Sequence, residues 1–161
     1  MAKAQQIEGL EPQLAYAEAA ALALTVRTKE MVDHSREVLS MTEIENVHDM
    51  RVASRRLRAA LEIFAPCFDA KEHAQVLGEV KAIADALGER RDRDVAIEAL
   101  EGYAGDLGEP KRAGIESLIG SLRSEQLRAN HELEAFVTEE RLQVLSSRVR
   151  ELARSARERL R

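Results

Sequence analysis

Three features of this sequence predict an all-α fold, an antiparallel bundle of about six helices, four of them long. The chain is 45% hydrophobic but only 3% aromatic, and its apolar content is mostly Ala, Leu, Ile and Val among Glu and Arg, a helix-forming composition. Apolar residues recur at spacings of three and four, and no stretch alternates with the period of two that a strand needs. Proline and glycine are few, and Pro66, Gly88, Gly105, Gly108 and Pro110 fall between these stretches, where they punctuate helices. At 161 residues the chain is long enough for one domain with a real core. With so few rings, that core must be aliphatic and closely packed.

The first helix is predicted from Glu11-Pro12, with proline in the first turn, to about Met41. Small residues from Ala15 to Val26 would let a neighbour approach closely. Residues 1–10 read as a disordered start, and residues 11–161 as a single helical domain. A short link, Thr42 to Asn46, leads into the second helix, with Asn46 as its expected N-cap and Asp49 in its first turn. Pro66 ends that helix. Asp69 and Glu72 have capping-box spacing, so a third helix should run from there to Leu87 and stop at Gly88 as its C′ residue. A charged corner from Glu89 to Asp94 precedes a fourth helix, Val95 to about Tyr103, capped by Asp92 or Asp94. Pro110 opens a fifth helix whose apolar series carries it to Val137. Thr138, Glu139 and Glu140 then form the cap and first turn of a last helix, with Leu142, Leu145, Val149, Leu152, Ala156 and Leu160 as its stripe.

The second helix carries the most informative pattern. On a helical projection Met50, Ala53, Leu57, Ala60, Leu61 and Phe64 make a core stripe, while His48, Arg51, Arg55 and Arg58 line the opposite side with Arg56 on the flank. No acidic residue lies between Asp49 and Glu62. Like charges one turn apart cost a few tenths of a kcal/mol per pair, so an anion is expected to sit there. Arginine is also a good helix former whose stem covers apolar surface. A solvated face, an anion site and neutralisation by a neighbouring helix therefore all fit the pattern.

The string His48-Asp49-Met50-Arg51-Val52-Ala53-Ser54-Arg55-Arg56-Leu57-Arg58 resembles the signature of the CHAD family, the conserved-histidine α-helical domain. A second block, Val80 to Val95, is similar to that family's lysine-bearing helix followed by L-G-x-x-R-D-x-D-V, here Leu87-Gly88-Glu89-Arg90-Arg91-Asp92-Arg93-Asp94-Val95. The match spans a motif core of residues 47–100. The resemblance implies binding of inorganic polyphosphate by His48, Arg51, Arg55, Arg56, Arg58, Lys81, Arg90 and Arg91, with no cofactor. Arginine suits this ligand, because its rigid fork holds two phosphate oxygens at once, and forks on successive helical turns stand about 5–6 Å apart. His48 would add one hydrogen bond when neutral and more charge when protonated. Arg91 and Asp92 match the family's R-D pair, which could equally be a salt bridge shaping the corner. A full-length CHAD domain has two similar helical halves, whereas this chain shows one clear copy of the basic motif. It thus resembles one half, a single-repeat member whose second half a homodimer or another chain would supply in trans.

Other function classes fare less well. A phosphohydrolase of polyphosphate or a triphosphate would need a carboxylate cluster holding a divalent metal. Asp92 and Asp94 are the only close carboxylate pair near the motif, and they sit among arginines. There is no Gly-rich phosphate loop, and His34, His48, His73 and His131 lack zinc-site spacing, so neither catalytic residues nor a metal site are assigned. The formal net charge of -5 and the lack of aromatics argue against nucleic acid as the ligand. The other reading is a helical adaptor for an acidic protein or nucleic acid. Arg148, Arg150, Arg154, Arg157, Arg159 and Arg161 favour it, although pairing with the acidic first helix would explain them more simply. Cys67 reads as a buried small thiol. No signal-peptide pattern or membrane-length apolar run is visible. We read the protein as cytoplasmic, with polyphosphate granules as the place its ligand would take it.

Overall fold

A computed structural model describes residues 3–159; Met1, Ala2, Leu160 and Arg161, which the predictions above include, lie outside the described residues. Five α-helices follow one another: α1 (Tyr16–Asp33), α2 (Glu45–Ile63), α3 (Ala70–Gly105), α4 (Lys111–Glu134) and α5 (Glu139–Arg159). A single 3-10 turn, Ala65–Cys67, holds Pro66 between α2 and α3. No strand occurs among the described residues. The all-α bundle is as predicted, with one helix fewer.

The missing helix is the main correction. The predicted third and fourth helices are one, α3, 36 residues long and so about 54 Å from end to end. Gly88 is not a C′ stop but an interior residue. A glycine there costs only about 1 kcal/mol relative to alanine, and the helix is sewn across it. Arg93 pairs with Glu89 at 2.5 Å, and Arg90 with Asp94 at 3.1 Å, both one turn apart. Neither Asp92 nor Asp94 caps anything. Asp69 does cap, its Oδ1 accepting from Lys71 N at 3.0 Å and Glu72 N at 3.2 Å.

The other boundaries move for local reasons. α1 starts at Tyr16, later than expected, because Pro12 sits in a turn closed by Leu14 N donating to Glu11 O at 3.0 Å. It ends at Asp33 rather than Met41. Ser35 Oγ donates to Val32 O at 2.7 Å, and Glu37 adopts a left-handed φ of 57°, which a helix cannot continue through. Asn46 is not the N-cap of α2. It lies in the first turn, and its Nδ2 donates to Glu37 O at 3.2 Å, holding the preceding turn. α4 ends at Glu134, before Val137. Thr138 caps α5 as predicted, its Oγ1 accepting from Arg141 N at 3.3 Å.

α1 packs between α2 and α5, α2 packs on the first half of α3, and α4 folds back along the second half of α3. Ala17, Ala20, Ala21 and Ala23 of α1 are buried, so small side chains do set the close approach of its neighbours. The core joins α1, α2, α3 as far as Leu87, Leu133 of α4, and α5. Met50, Leu57 and Leu61 of α2 are fully buried, as the stripe required. Ahead of α1 the chain is irregular, with Ile7 packed on the core and Gln5 N donating to Glu30. No helix among the described residues is long and apolar enough to cross a membrane.

Candidate functional site

Burying one stripe of α2 forces its arginines outward, but not to the same fate. The first half of α3 runs antiparallel beside it. His73 meets Leu61 O at 2.9 Å, Lys81 Nζ stands 3.8 Å from Glu62 Oε1, and Arg91 Nη2 stands 3.1 Å from Glu45 Oε1. Lys81, Gly88 and Arg91 therefore face the α2 seam in order from one end to the other.

Along this seam Arg51 and Arg55 have no ion-pair or hydrogen-bond partner for their guanidiniums among the described residues. Arg51 lies against Gly88: a Cβ placed there would come 3.7 Å from its Nε, an ordinary contact. Arg58 Nε donates to Glu62 Oε1 at 2.9 Å, and Lys81 shares that same oxygen. The Arg58 hydrogen bond, with Lys81 and His73 adding to it, holds the Glu62 carboxyl below its usual range. From His48 to Arg58 the row spans about 15 Å of helix.

The remaining predicted residues are placed differently. Arg56 turns toward α1, where its Nη1 lies 3.8 Å from the buried Glu30 carboxylate, which Arg27 also holds at 2.6 Å. Arg91 is mostly covered, tied to Glu45 and donating to Ile44 O at 3.3 Å. Arg90 is a correction. It is 0% exposed, facing α4, with Nη1 donating to Asn130 Oδ1 at 3.0 Å. Its partner Asp94, also buried, accepts from Gln126 Nε2 at 2.5 Å. A guanidinium enclosed between α3 and α4 cannot meet a polyanion on the surface, so Arg90 leaves the set. Burial pushes the Asp94 carboxyl up, against the opposing pull of Gln126, Arg90 and Arg91. It pushes Arg90 down, against Asp94.

His48 is half-buried, and one of its ring nitrogens lies within 4.8 Å of a carboxylate oxygen of Glu45 and one of Asp49. Spacing on a single helical turn produces that grouping by itself, and Glu45 is already committed to Arg91. It makes no case for a metal.

A family model described as the CHAD domain matches residues 22–161. The chain belongs to the CHAD family. The match reaches well beyond the motif core of residues 47–100 and takes in the larger part of α1 and all of α2 to α4, with α5. CHAD domains are associated with polyphosphate and are generally binding modules rather than catalytic ones. No curated protein and no solved structure matches the chain.

Sequence reasoning missed Glu30 as the partner of Arg56, and it missed the inward turn of Arg90. The second was available. Val76, Val80, Ile83, Leu87, Arg90, Asp94 and Ile97 keep one unbroken three-four spacing across Gly88, and all are buried.

Proposed function

We propose that this CHAD domain binds inorganic polyphosphate without catalysis, through the α2/α3 seam. Arg51, Arg55 and Arg58 of α2 grip successive phosphates, Lys81 of α3 adds a contact, and His48 stands at one end. Arg56 and Arg91 lend positive field while serving mainly as ties to Glu30 and Glu45. One observation carries the reading: Arg51 and Arg55, a turn apart, hold no carboxylate among the described residues, while most neighbouring arginines do. A fold that pairs its arginines so widely leaves two open where the family motif lies. Polyphosphate granules are where such binding would bring the protein.

The adaptor reading loses part of its support. Arg148 pairs with Glu79 and Gln75, Arg154 with Glu151 and Glu158, and Arg157 with Glu18 of α1 at 2.8 Å. Three of the six arginines named for it are thus held within the chain.

The test is titration of wild type and Arg51→Ala/Arg55→Ala/Arg58→Ala with long-chain polyphosphate, tripolyphosphate and single-stranded DNA at two salt concentrations. Circular dichroism checks that both are folded. We expect salt-sensitive binding of the long chain by wild type. In the variant it should be at least about tenfold weaker, with the salt slope reduced by roughly two to three phosphate contacts. Equal binding by both proteins would overturn the site, and no binding by wild type would overturn the function. In this reading a second copy of the domain covers the other side of the ligand, so the bound state is a homodimer. Light scattering that shows a monomer at full affinity excludes this.

A further inference from the structure

Residues of α1 and α5, with neighbouring segments, line a cleft that contains none of the α2 arginines. Its inner chamber, about 260 Å³, is lined by Thr28, Val32, Ser146, Val149 and Arg150 among others. An adjoining chamber of about 730 Å³ shares Val32, Ser146 and Arg150 and adds Arg36, Val137 and Leu142. Small-molecule sites commonly occupy about 300–1,000 Å³, with an apolar lining and a few placed polar groups. Here the valines and Leu142 supply the apolar lining.

The polar groups point to the sign of the ligand. Arg150 lines both chambers, Arg36 lines the outer one, and neither has an ion-pair partner among the described residues. The two carboxylates of the cleft are engaged: Asp33 with Lys29 at 2.5 Å, and Glu139 accepting from Gln143 Nε2 at 3.0 Å. Thr28 supplies an independent observation. It is only 7% exposed, and its Oγ1 has no hydrogen-bond partner among the described residues. Thr25, one turn earlier on the same helix, satisfies its hydroxyl by donating to Ala21 O at 2.7 Å. A buried hydroxyl without a partner is a cost to the fold, and a ligand oxygen in the inner chamber would remove it.

We propose that this cleft is a second anion site, for a small molecule with an apolar body and a phosphate or carboxylate head. Arg150, assisted by Arg36, holds the head, Thr28 Oγ1 donates to one of its oxygens, and Val32 and Val149 take the apolar part. The site is independent of the polyphosphate seam.

Amide NMR shifts of the full chain would be followed on titration with phenyl phosphate, hexanoate, inorganic phosphate and neutral phenol. We expect saturable shifts at Thr28, Val32, Ser146 and Arg150 with phenyl phosphate or hexanoate, and the stronger of the two identifies the head group. Inorganic phosphate and phenol should act far more weakly. Arg150→Gln, at an exposed position, and Thr28→Val, nearly isosteric, should each weaken binding about tenfold, while Arg51→Ala/Arg55→Ala/Arg58→Ala should leave it intact. The proposal is overturned by no saturable shift with any probe. It is equally overturned by a response to phenol as strong as to the anions, or by binding that survives Arg150→Gln and is lost in the α2 variant.

Discussion

Replacing Arg90 with methionine should be among the most damaging single changes to this fold, and restoring stability should require a second change four residues on. Arg90 and Asp94 are both fully buried, and their attachments run only to each other, Gln126 and Asn130. Arg90→Met leaves the Asp94 carboxylate buried without its guanidinium, and Asp94→Leu leaves the guanidinium alone. Breaking a buried pair from one side costs about 3–5 kcal/mol, a large part of the roughly 5–15 kcal/mol that holds a domain together. Arg90→Met/Asp94→Leu removes both charges and leaves two amides to account for. Asn130 is half-buried and still donates to Leu39 O at 3.1 Å. Gln126 is 8% exposed and loses its acceptor, a penalty of about 1–3 kcal/mol. The double variant should therefore be more stable than either single one, with a coupling energy of at least about 3 kcal/mol. Urea unfolding followed by far-UV circular dichroism measures all four proteins. Single variants within about 0.5 kcal/mol of wild type, or strictly additive losses, would refute this reasoning.

Other outcomes follow from the same geometry. Gly78→Ala and Gly88→Ala should each raise stability by about 0.5–1 kcal/mol, since a Cβ meets nothing within 4 Å at the first and makes an ordinary 3.7 Å contact at the second; a fall in midpoint at either would contradict the continuous, unstrained α3. Asp94, whose folded pKa is raised, holds its proton more tightly in the native state, so its contribution is full below the unfolded value of about 3.9 and declines as pH rises through the folded value. The stability of wild type relative to Asp94→Asn should therefore fall over that interval, and a rise would show the opposite shift. Cys67 is buried and its thiol is pushed up by burial, so native protein should react with a thiol reagent far more slowly than urea-unfolded protein. Glu62→Gln frees Arg58 and Lys81 from the oxygen they share and should tighten polyphosphate binding several-fold at low salt, with the gain shrinking as salt rises; unchanged affinity would place Arg58 and Lys81 outside the site.

Much of the fold was legible because apolar spacing is imposed by burial, and burial decides helices. The α2 stripe, the Asp69 and Thr138 caps and the small-residue face of α1 needed nothing beyond local chemistry. What misled was punctuation. Gly88 and the two aspartates after it read as a helix end because each is a good local terminator, yet the i,i+4 pairs and the packing of α4 outweigh a penalty of about 1 kcal/mol. The same packing explains Arg90. From sequence it looks like its neighbour Arg91, a charged residue in a charged corner. Only the partner amides on α4, 36 and 40 residues further along, make a buried guanidinium tolerable. Glu30 was hidden in the same way, since a buried acid on α1 shows its reason only when Arg27 and Arg56 are seen around it.

The arginine row of α2 therefore divides into two kinds of residue. A helix packed on two neighbours has flanks as well as an outer face, and 100° per residue assigns adjacent arginines to different ones. Arg56 falls on the α1 flank and closes a buried carboxylate. Arg58 finds the nearest acid on its own helix. Arg51 and Arg55 meet neither, and beside Arg51 the facing helix carries a glycine where most residues would project a side chain. That geometry, more than the count of arginines, is what supports the proposed site. Solubility alone would be served as well by an acid one turn away, as it is for Arg93 and Arg154. Two neighbouring guanidiniums left open along a seam with Lys81 hold like charges together, and an extended anion is what would relieve them.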